Sequence, residues 1–263
     1  MKDVLVTGAY GGMGRAACQA FKARGYRVFA LDRAVEEAEE SIVPIQADVT
    51  DEAQVIAAIA HVRAYTDSLY AVVHFAGIYM LDSLLEMEAE AFRRIFDVNL
   101  NGVFLVNKYA LPLLHRGSRI LITTSELAPL DPLPFTGVYA VTKAALDKYA
   151  YSLRMELQLL GITVSVLRAG AVDTGMLGAS TDALDRFCEK TAIYPCNAKR
   201  FKGIVSRVEA RHISTEKLAK RAACIVERSH PAFAYCINRN PLLLLLNALP
   251  KRVQLWAIRL VLK

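Results

Sequence analysis

The sequence predicts an α/β fold in which a doubly wound parallel sheet of about seven strands carries helices on both faces. Two observations lead to this prediction. Short apolar segments alternate with helical segments from the N-terminus onward, and a glycine-rich turn joins the first strand to the first helix. The 263 residues are enough for one large domain but few for two, so we predict a single domain over residues 1–263.

The predicted strands are short apolar segments bounded by turn residues or charges. They cover residues 3–6, 26–31, 41–46, 70–73, 119–123, 162–167 and 233–237. Helical segments between them cover residues 15–24, 52–63, 86–114, 139–160 and 214–228. Thr50 is expected to cap the second helix, and Ser214 or Thr215 the last one, because hydroxyl groups accept hydrogen bonds from the free N–H groups of helix starts.

The turn after the first strand has the composition of a phosphate-binding loop. It places Gly8, Gly12, Met13 and Gly14 between a strand and a helix. Glycines let backbone N–H groups and the positive end of the helix approach a pyrophosphate, because no Cβ stands in the way. A flexible turn without a ligand could have the same composition, so the interpretation depends on the strands that follow.

The second strand ends in a carboxylate, Asp32, which lies 20 residues beyond Gly12. A carboxylate there can accept hydrogen bonds from both ribose hydroxyls and repels a 2′-phosphate, which favours NAD over NADP. The neighbouring Arg33 could accommodate that phosphate, so NADP remains the alternative cofactor.

Two further loops follow the third and fourth strands. Asp48 and Val49 lie where an adenine ring could rest, although Asp48 could equally be an ordinary loop carboxylate. Ala76 and Gly77 are small, so the backbone there could come close to a cofactor. Both loops are therefore candidate cofactor contacts.

Tyr139 and Lys143 are four residues apart in a predicted helix, which places them on one face. An ammonium beside a phenol favours the phenolate and lowers the phenol pKa from its usual value of about 10. Such pairs also occur by chance, and only the dinucleotide-binding features elsewhere give this one weight. We interpret Tyr139 as a candidate acid or base.

Together these motifs resemble those of the short-chain dehydrogenase/reductase family. The glycine turn matches its Thr-Gly-x-x-x-Gly-x-Gly pattern, Asp48-Val49 its adenine loop and Ala76-Gly77 the second half of its Asn-Asn-Ala-Gly motif. The matches run from residue 1 to about residue 174. The resemblance implies a Rossmann-type fold and hydride transfer between NAD(P) and an alcohol or ketone.

The resemblance also implies four catalytic residues, Asn99, Ser125, Tyr139 and Lys143. Tyr139 would be the acid or base, and Lys143 would lower its pKa and hold the ribose. Ser125 would orient the substrate oxygen, and Asn99 would seat a water molecule that relays protons.

The family segment that contacts the nicotinamide is matched by Val172 and Thr174, with Ala169 in place of its proline. His74 and Phe75 replace the two asparagines of the Asn-Asn-Ala-Gly motif, and we expect His74 to have a structural or cofactor-side role.

The candidate substrate serine is one residue out of register with the family. Ser125 precedes Tyr139 by 14 residues instead of 13, a spacing that would select Glu126. A one-residue insertion in the loop 129–134 accounts for the difference, and Thr124 is the fallback.

Residues 175–213 match no motif, and the resemblance implies a substrate lid there. Its apolar residues indicate either a hydrophobic substrate or packing beneath the lid. They are Met176, Leu177, Phe187, Ile193, Tyr194 and Phe201.

The tail 240–263 is leucine-rich and is expected to form helices. It could cover the cleft, pack on another subunit or lie on a membrane with its basic residues at the headgroups, and burial against protein is the preferred interpretation. The basic residues of the tail are Lys251, Arg252, Arg259 and Lys263. Similar tails occur in family members that act on steroids, retinoids and other lipids.

The net charge of +6 is unevenly distributed. Residues 199–263 carry 14 Lys and Arg against 3 Asp and Glu, which makes either a solvated surface or one that attracts anionic lipid, an acidic partner or an anionic substrate. No nucleic-acid motif is recognised, so no nucleic-acid partner is expected.

Cysteine content and the N-terminus indicate the compartment. The five cysteines form no C-x-x-C pair, so we expect reduced, mostly buried thiols in a cytoplasmic protein without a metal site. The first strand begins at Asp3, which leaves no room for a signal peptide, and no run of 18 apolar residues could span a membrane.

The sequence therefore predicts an oxidoreductase that acts on a hydrophobic, steroid- or lipid-like secondary alcohol or ketone, as a homodimer or homotetramer. The alternative is a non-catalytic dinucleotide-binding regulator or scaffold with the same fold. The Tyr139–Lys143 pair with Asn99 argues against that alternative, because a sensor needs no proton relay.

Overall fold

The computed structural model contains a seven-stranded parallel sheet with the strand order β3-β2-β1-β4-β5-β6-β7. It describes residues 1–208 and 212–263, and their side chains apart from those of 175–181 and 206–208. The strands are β1 Lys2–Thr7, β2 Tyr26–Asp32, β3 Ile42–Gln46, β4 Ala71–His74, β5 Arg119–Ser125, β6 Thr163–Ala169 and β7 Ala234–Ile237. The predicted fold class is confirmed.

Ten α-helices lie in the described part of the chain. They are α1 Gly12–Lys22, α2 Glu52–Arg63, α3 Ala89–Phe96, α4 Gly102–Ala110, α5 Gly137–Leu157, α6 Gly175–Lys190, α7 Pro195–Val208, α8 Thr215–Val226, α9 Pro241–Ala248 and α10 Lys251–Leu262. The predicted helical region 86–114 is not continuous, since a π-helical turn over Asp97–Asn101 separates α3 from α4.

The sheet is covered on both faces, which explains why its strands read as continuous apolar runs. Helices α1 and α8 pack on one face, and α2, α4 and α5 pack on the other. The central strand β1 pairs with both β2 and β4, and its Val4, Leu5 and Val6 are fully buried. The chain order reverses between β1 and β4, and in sheets of this kind ligands bind beyond the carboxyl ends of the strands at such a reversal.

Helix starts depart from the sequence prediction in two places. Helix α1 begins at Gly12 rather than Arg15, so two glycines of the turn lie in its first turn. Helix α2 is capped by Asp51, whose carboxylate accepts a hydrogen bond from Gln54 N at 3.1 Å, and not by Thr50. The Thr50 hydroxyl instead donates to Asp48 at 2.8 Å. For α8, Ser214 is the cap.

The region between β6 and α8 forms two helices, α6 and α7, with their own small apolar cluster. Phe187 and Phe201 are buried there against Phe135, with ring centroids 4.6 and 5.5 Å away, so they pack inside the protein. Ile193 is exposed, and the side chains of Met176 and Leu177 lie outside the described residues.

The expectation that the cysteines are mostly buried is wrong. Cys18 is buried in α1, but Cys196, Cys224 and Cys236 are exposed. Cys236 lies on the edge strand β7, and Cys224 lies on the outer side of α8, where no strand covers it. Within the described ranges, no helix combines the length and the apolar character needed to cross a bilayer.

Candidate active site

The glycine turn fits tightly into the reversal point of the sheet. Gly8 has φ +65°, and a Cβ there would lie 2.5 Å from Ala76 N. A Cβ on Gly14 would lie 2.0 Å from Gly8 O. Both positions therefore require glycine, one for its conformation and both for the close approach of backbone to backbone.

The start of α1 fits a pyrophosphate. The first N–H groups of a helix lack acceptors within it and carry partial positive charge. A Cβ on Gly11 would meet nothing closer than Gly8 O at 3.4 Å, and one on Gly12 would lie 3.1 Å from the Thr174 side chain. The turn thus leaves space at the helix start, and Thr174 lies beside Gly12; the contact of Thr174 with the nicotinamide stays a prediction.

Asp32 is held in place at the end of β2. Its carboxylate accepts hydrogen bonds from Tyr10 N at 2.9 Å and from Arg33 N at 2.7 Å, while the Arg33 side chain is exposed. Asp48 accepts a hydrogen bond from Thr50 N at 2.9 Å. The carboxylate of Asp32 therefore belongs to the same local network as the glycine turn.

Val49 lies beneath the start of α4, because a Cβ on Gly102 would be 2.7 Å from the Val49 side chain. This contact explains Gly102, three residues after Asn99, as a packing requirement. The contacts of Asp48 and Val49 with an adenine ring stay predictions.

Four predicted catalytic residues meet at the carboxyl ends of β4 and β5. Ser125 ends β5, and its hydroxyl lies within hydrogen-bonding reach of the Tyr139 phenol at the start of α5. Lys143 Nζ lies 5.7 Å from the Tyr139 ring centroid and donates to Thr123 O at 3.3 Å. A Cβ on Gly77 would lie 3.6 Å from that Nζ and 3.2 Å from Asn99 Oδ1.

The Tyr139 phenol keeps its proton more strongly than the sequence predicts. Burial raises the pKa of Tyr139 above its usual value, and the hydrogen bond with Ser125 lowers it only in part. The sequence led us to expect a lowered pKa, but the cost of burying a phenolate prevails in the structure and the net shift is upward. At neutral pH Tyr139 is a proton donor.

Asn99 is fully buried in the π-helical turn and hydrogen-bonds to the backbone after β4. Its side chain accepts from Ile78 N at 2.8 Å and donates to Ile78 O at 3.0 Å and to the Thr142 hydroxyl at 3.2 Å. Irregular turns of this kind are frequent at functional sites. The structure thus gives Asn99 a positioning contact that the sequence did not predict.

Thr142 was also missed, although it lies between the two predicted residues of α5. Its hydroxyl donates to Tyr139 O at 2.8 Å and accepts from Asn99. The Tyr79 ring, whose centroid is 4.8 Å from that of Tyr139, covers the phenol from the side. No sequence signal marks the Thr142–Asn99 bond or the Tyr79–Tyr139 contact, since each joins segments that are far apart in the chain.

The ambiguity between Ser125, Thr124 and Glu126 is resolved by side-chain direction. The Thr124 hydroxyl donates to Asp147 at 3.4 Å, on the other side of the strand, where Asp147 also pairs with Arg168. Glu126 accepts a hydrogen bond from Asn240 N at 2.6 Å and so anchors the tail. Only Ser125 faces Tyr139.

His74 is a buried structural residue. Its Nε2 bonds Asn107 Oδ1 at 2.9 Å, and among the described residues its Nδ1 has no partner. Burial lowers the pKa of His74 to about 4, while the bond with Asn107 opposes this, so the ring is neutral at physiological pH. The imidazole links β4 to α4, in agreement with the structural role expected for it.

A cavity of about 900 Å³ connects these features. It runs from Met13 and Thr174 at the glycine turn, past Ser125 and Tyr139, to the tail helices. Beyond the polar floor its walls are mostly apolar. Those walls include Ile78, Leu127, Leu133, Leu243, Leu246, Ile258 and Val261. Within the described ranges, no group of three His, Cys, Asp or Glu side chains could hold a metal ion.

Burial of the Lys143 charge lowers the free energy of unfolding, and this cost can be measured. Burial lowers its pKa to about 8, so between that value and its usual 10.5 the unfolded chain holds a proton that the folded chain has lost. Stability of the wild type therefore rises with pH across this window. We expect Lys143→Met to raise the unfolding free energy at pH 7 by on the order of 2 kcal/mol, with the gain shrinking above pH 8.

Chemical denaturation at pH 7, 8 and 9.5 checks this expectation. The control is Lys148→Met, which removes an exposed ammonium from the same helix and should leave stability unchanged at each pH. A Lys143→Met protein that is less stable than the wild type, by the same amount at every pH, would contradict the expectation.

Comparison with known proteins gives consistent matches. A family model described as short chain dehydrogenase matches residues 2–185. The NADPH-dependent 1-acyldihydroxyacetone phosphate reductase of Schizosaccharomyces pombe is 31% identical over 204 residues, covering 74% of this chain and 68% of that protein. Estradiol 17-beta-dehydrogenase 2 of Mus musculus is 32% identical over 244 residues, covering 88% of this chain and 61% of that protein.

The chain thus spans about two thirds or less of the length of these curated relatives. The fold is shared with the solved structure of 3-ketoacyl-(acyl-carrier-protein) reductase from Brucella melitensis complexed with NADH. That likeness has a TM-score of 0.73 at 23% identity and covers 90% of this chain and 96% of that one. Because the family match covers well over half of the 263 residues, the chain belongs to the short-chain dehydrogenase/reductase family of oxidoreductases.

Proposed function

We propose that this oxidoreductase transfers a hydride between NAD(H) and a secondary alcohol or ketone with a large hydrophobic body, of the steroid or lipid class. The observation that carries the proposal is the position of Ser125 and Tyr139 on the floor of a 900 Å³ cavity whose walls are mostly apolar. Cavities of this volume accept ligands of that size and chemistry. A polar floor with apolar walls suits a molecule with one reacting oxygen.

Each residue of the floor has a separate task. Ser125 would orient the substrate oxygen, and the protonated Tyr139 would donate its proton to that oxygen as a carbonyl is reduced. When bound, the nicotinamide supplies or accepts the hydride. Lys143, whose Nζ lies beside Gly77, would hold the ribose hydroxyls. Asn99 would fix the backbone at Ile78 and seat the relay water.

The substrate class is supported by a relative as well as by the cavity. The mouse relative is named for its action on estradiol, a steroid, and the match with it covers 88% of this chain. The tail helices contribute Leu243, Leu246 and Val261 to the cavity, so they form part of the substrate-binding wall.

Asp32 supports NAD as the preferred cofactor, although the named relatives include an NADPH-dependent enzyme. Its carboxylate is fixed by Tyr10 N next to the glycine turn, where it would repel a 2′-phosphate. We expect Asp32→Ser to lower the ratio of kcat/KM for NAD+ over NADP+ at least about tenfold, because Arg33 can then pair with that phosphate.

Steady-state kinetics with both cofactors measures this ratio. Glu37→Gln removes an exposed carboxylate five residues away and should leave the ratio unchanged. If Asp32→Ser keeps the wild-type ratio, Asp32 does not select the cofactor.

Assembly as a homodimer or homotetramer is part of the proposal. The outer faces of α4 and α5 expose Phe104, Val141 and Met155, which are large apolar side chains on neighbouring helices. Such a surface suits contact between copies of one chain.

The test of the function is a substrate screen. Purified protein is mixed with NAD+ and a panel of hydroxysteroids, retinol and medium-chain secondary alcohols, or with NADH and the matching ketones, and absorbance of the reduced cofactor is followed. Turnover of at least one hydrophobic member supports the proposal. Tight NAD binding without turnover of any member would favour the non-catalytic regulator instead.

A further inference from the structure

The tail helices α9 and α10 are apolar on two opposite sides. The inner side of α10 places Gln254 and Leu262 in buried positions and Ile258 against the small apolar cluster of α6 and α7. On its outer side Trp256 and Leu260, four residues apart, are each 64% exposed. A helix with a single apolar face can bury that face in one contact with the protein. The second apolar face of α10 therefore indicates another partner.

Helix α9 repeats this arrangement. Leu242 and Leu245, three residues apart, are 61% and 63% exposed, while Leu243 and Leu246 line the cavity. Leu242 and Val261 are both exposed and part of the cavity wall. The mouth of the cavity therefore opens at the outer surface of the two helices.

Hydrogen bonds at both ends of the tail hold its outer face away from the protein. Glu126 accepts from Asn240 N at 2.6 Å, and Asn247 accepts from Asp131 N at 2.6 Å. At the other end, Asn197 donates to Leu262 O at 2.7 Å. These bonds join both ends of the tail to the loop after β5 and to α7.

The charge around the outer face has a single sign. Residues 228–263 contain six Lys and Arg and no Asp or Glu. On α10, Arg252 and Arg259 are four and three residues from Trp256, and Lys263 is three residues from Leu260, so the basic residues adjoin the strip formed by Trp256 and Leu260. Across the ranges that the structure describes, none of these three forms an ion pair, whereas Lys251 pairs with Asp131.

We propose that this face docks on an anionic lipid bilayer with the cavity mouth turned toward the lipid. The tail surface is defined by the exposed apolar residues Leu242, Leu245, Val253, Leu255, Trp256, Leu260 and Val261 and by the basic residues Arg252, Arg259 and Lys263. Tryptophan and leucine on one strip with Lys and Arg at its edge are typical of helices that lie in a membrane interface.

A second copy of the chain fits this surface less well than lipid does. A twofold contact between two tail surfaces would bring together three unpaired basic residues from each copy, and like charges facing each other are repulsive. An anionic bilayer has the complementary sign, and each basic residue near it adds to binding. A lipid-dissolved substrate could then enter the cavity directly. That consequence rests on the proposed function, whereas the docking does not.

Trp256 is the single tryptophan of the chain, so its fluorescence reports on the tail surface alone. The full-length protein is titrated, without cofactor or substrate, with vesicles of phosphatidylcholine and phosphatidylserine at 7:3 and with vesicles of phosphatidylcholine only. With the anionic vesicles, at low salt, we expect emission to shift to shorter wavelength, acrylamide quenching to fall, and the protein to sediment with the lipid. All three changes should weaken at high salt.

Two variants separate the charge from the apolar strip. The triple variant Arg252→Gln, Arg259→Gln, Lys263→Gln should lose about fivefold in vesicle affinity for each residue, about a hundredfold in all. Leu260→Gln should also weaken binding. The controls are the exposed triple Arg63→Gln, Arg93→Gln, Arg94→Gln and the exposed Leu159→Gln, which should bind like the wild type. All variants alter exposed side chains and should keep the wild-type circular dichroism.

The proposal is overturned if the wild type does not bind the anionic vesicles, or if both triple variants bind equally well. It is also overturned if the Trp256 emission shift needs no lipid but grows with protein concentration and disappears in Leu260→Gln, because the surface then joins two copies. Since the assay contains neither cofactor nor substrate, its failure would leave the proposed reaction untouched.

Discussion

Replacing Tyr139 by phenylalanine is expected to lower kcat about a thousandfold while leaving cofactor affinity within about threefold of the wild type. A positioned acid or base contributes roughly 10²- to 10⁴-fold to a rate, and this substitution removes the proton while keeping the ring. The ring still packs against Tyr79 and still lies beside the Lys143 ammonium. The loss should therefore appear in turnover and not in binding.

Stopped assays with the best substrate of the screen measure turnover, and isothermal titration calorimetry measures cofactor affinity. Tyr151→Phe is the matched control, because it removes the same hydroxyl from an exposed position of the same helix. Residual activity of Tyr139→Phe within tenfold of the wild type would assign proton transfer to another group. Ser125, which lies within hydrogen-bonding reach of the phenol, would be the first candidate.

The sequence predicted which groups come together at the candidate site but not the environment that sets their pKa. The spacing of Tyr139 and Lys143 is local, so a helix brings them to one face in any fold. The pKa of the phenol depends on burial, which is produced by Tyr79 and the walls of the cavity, far away in the chain. The i, i+4 spacing could therefore predict that Tyr139 and Lys143 are neighbours and still give the wrong direction for the shift of the phenol pKa.

The difference between local and long-range contacts also explains why the positioning role of Asn99 was not predicted. Asn99 was predicted from the family resemblance, but its hydrogen bonds to Ile78 and Thr142 join three separate segments and depend on a π-helical turn that no periodicity marks. The strands were predicted to within about two residues because burial on both faces makes them uniformly apolar. The cap of α2 was misplaced because Thr50 and Asp51 are both good capping residues, and the hydroxyl of Thr50 is used by Asp48.

The tail shows where composition leaves alternatives open. Its leucines predicted helices without predicting which side faces the protein, because nearly every side is apolar. The structure places Leu243, Leu246 and Ile258 against the cavity, so the preferred interpretation, contact with protein, holds for one side only. The outer side is the one on which the membrane proposal depends.

The glycine turn should tolerate no side chain at Gly14. A Cβ there would lie 2.0 Å from Gly8 O, and because both partners are backbone, the turn itself must move. We expect Gly14→Ala to lower the unfolding free energy by about 3 kcal/mol and to weaken NAD binding at least about tenfold. Thermal unfolding and cofactor titration measure the two effects.

Gly11→Ala is the matched control for the stability effect, since it adds the same methyl group to the same turn. Gly11 has φ −70° and ψ 163°, which alanine can adopt, and its added Cβ would meet only Gly8 O at 3.4 Å. Its cost should stay within about 1 kcal/mol, the usual difference between residues at the start of a helix. If Gly14→Ala were as stable as Gly11→Ala and bound NAD normally, the close packing of Gly14 on Gly8 would not be what forms the binding loop. In that case the cofactor would have to depend on Asp32 and Lys143 instead.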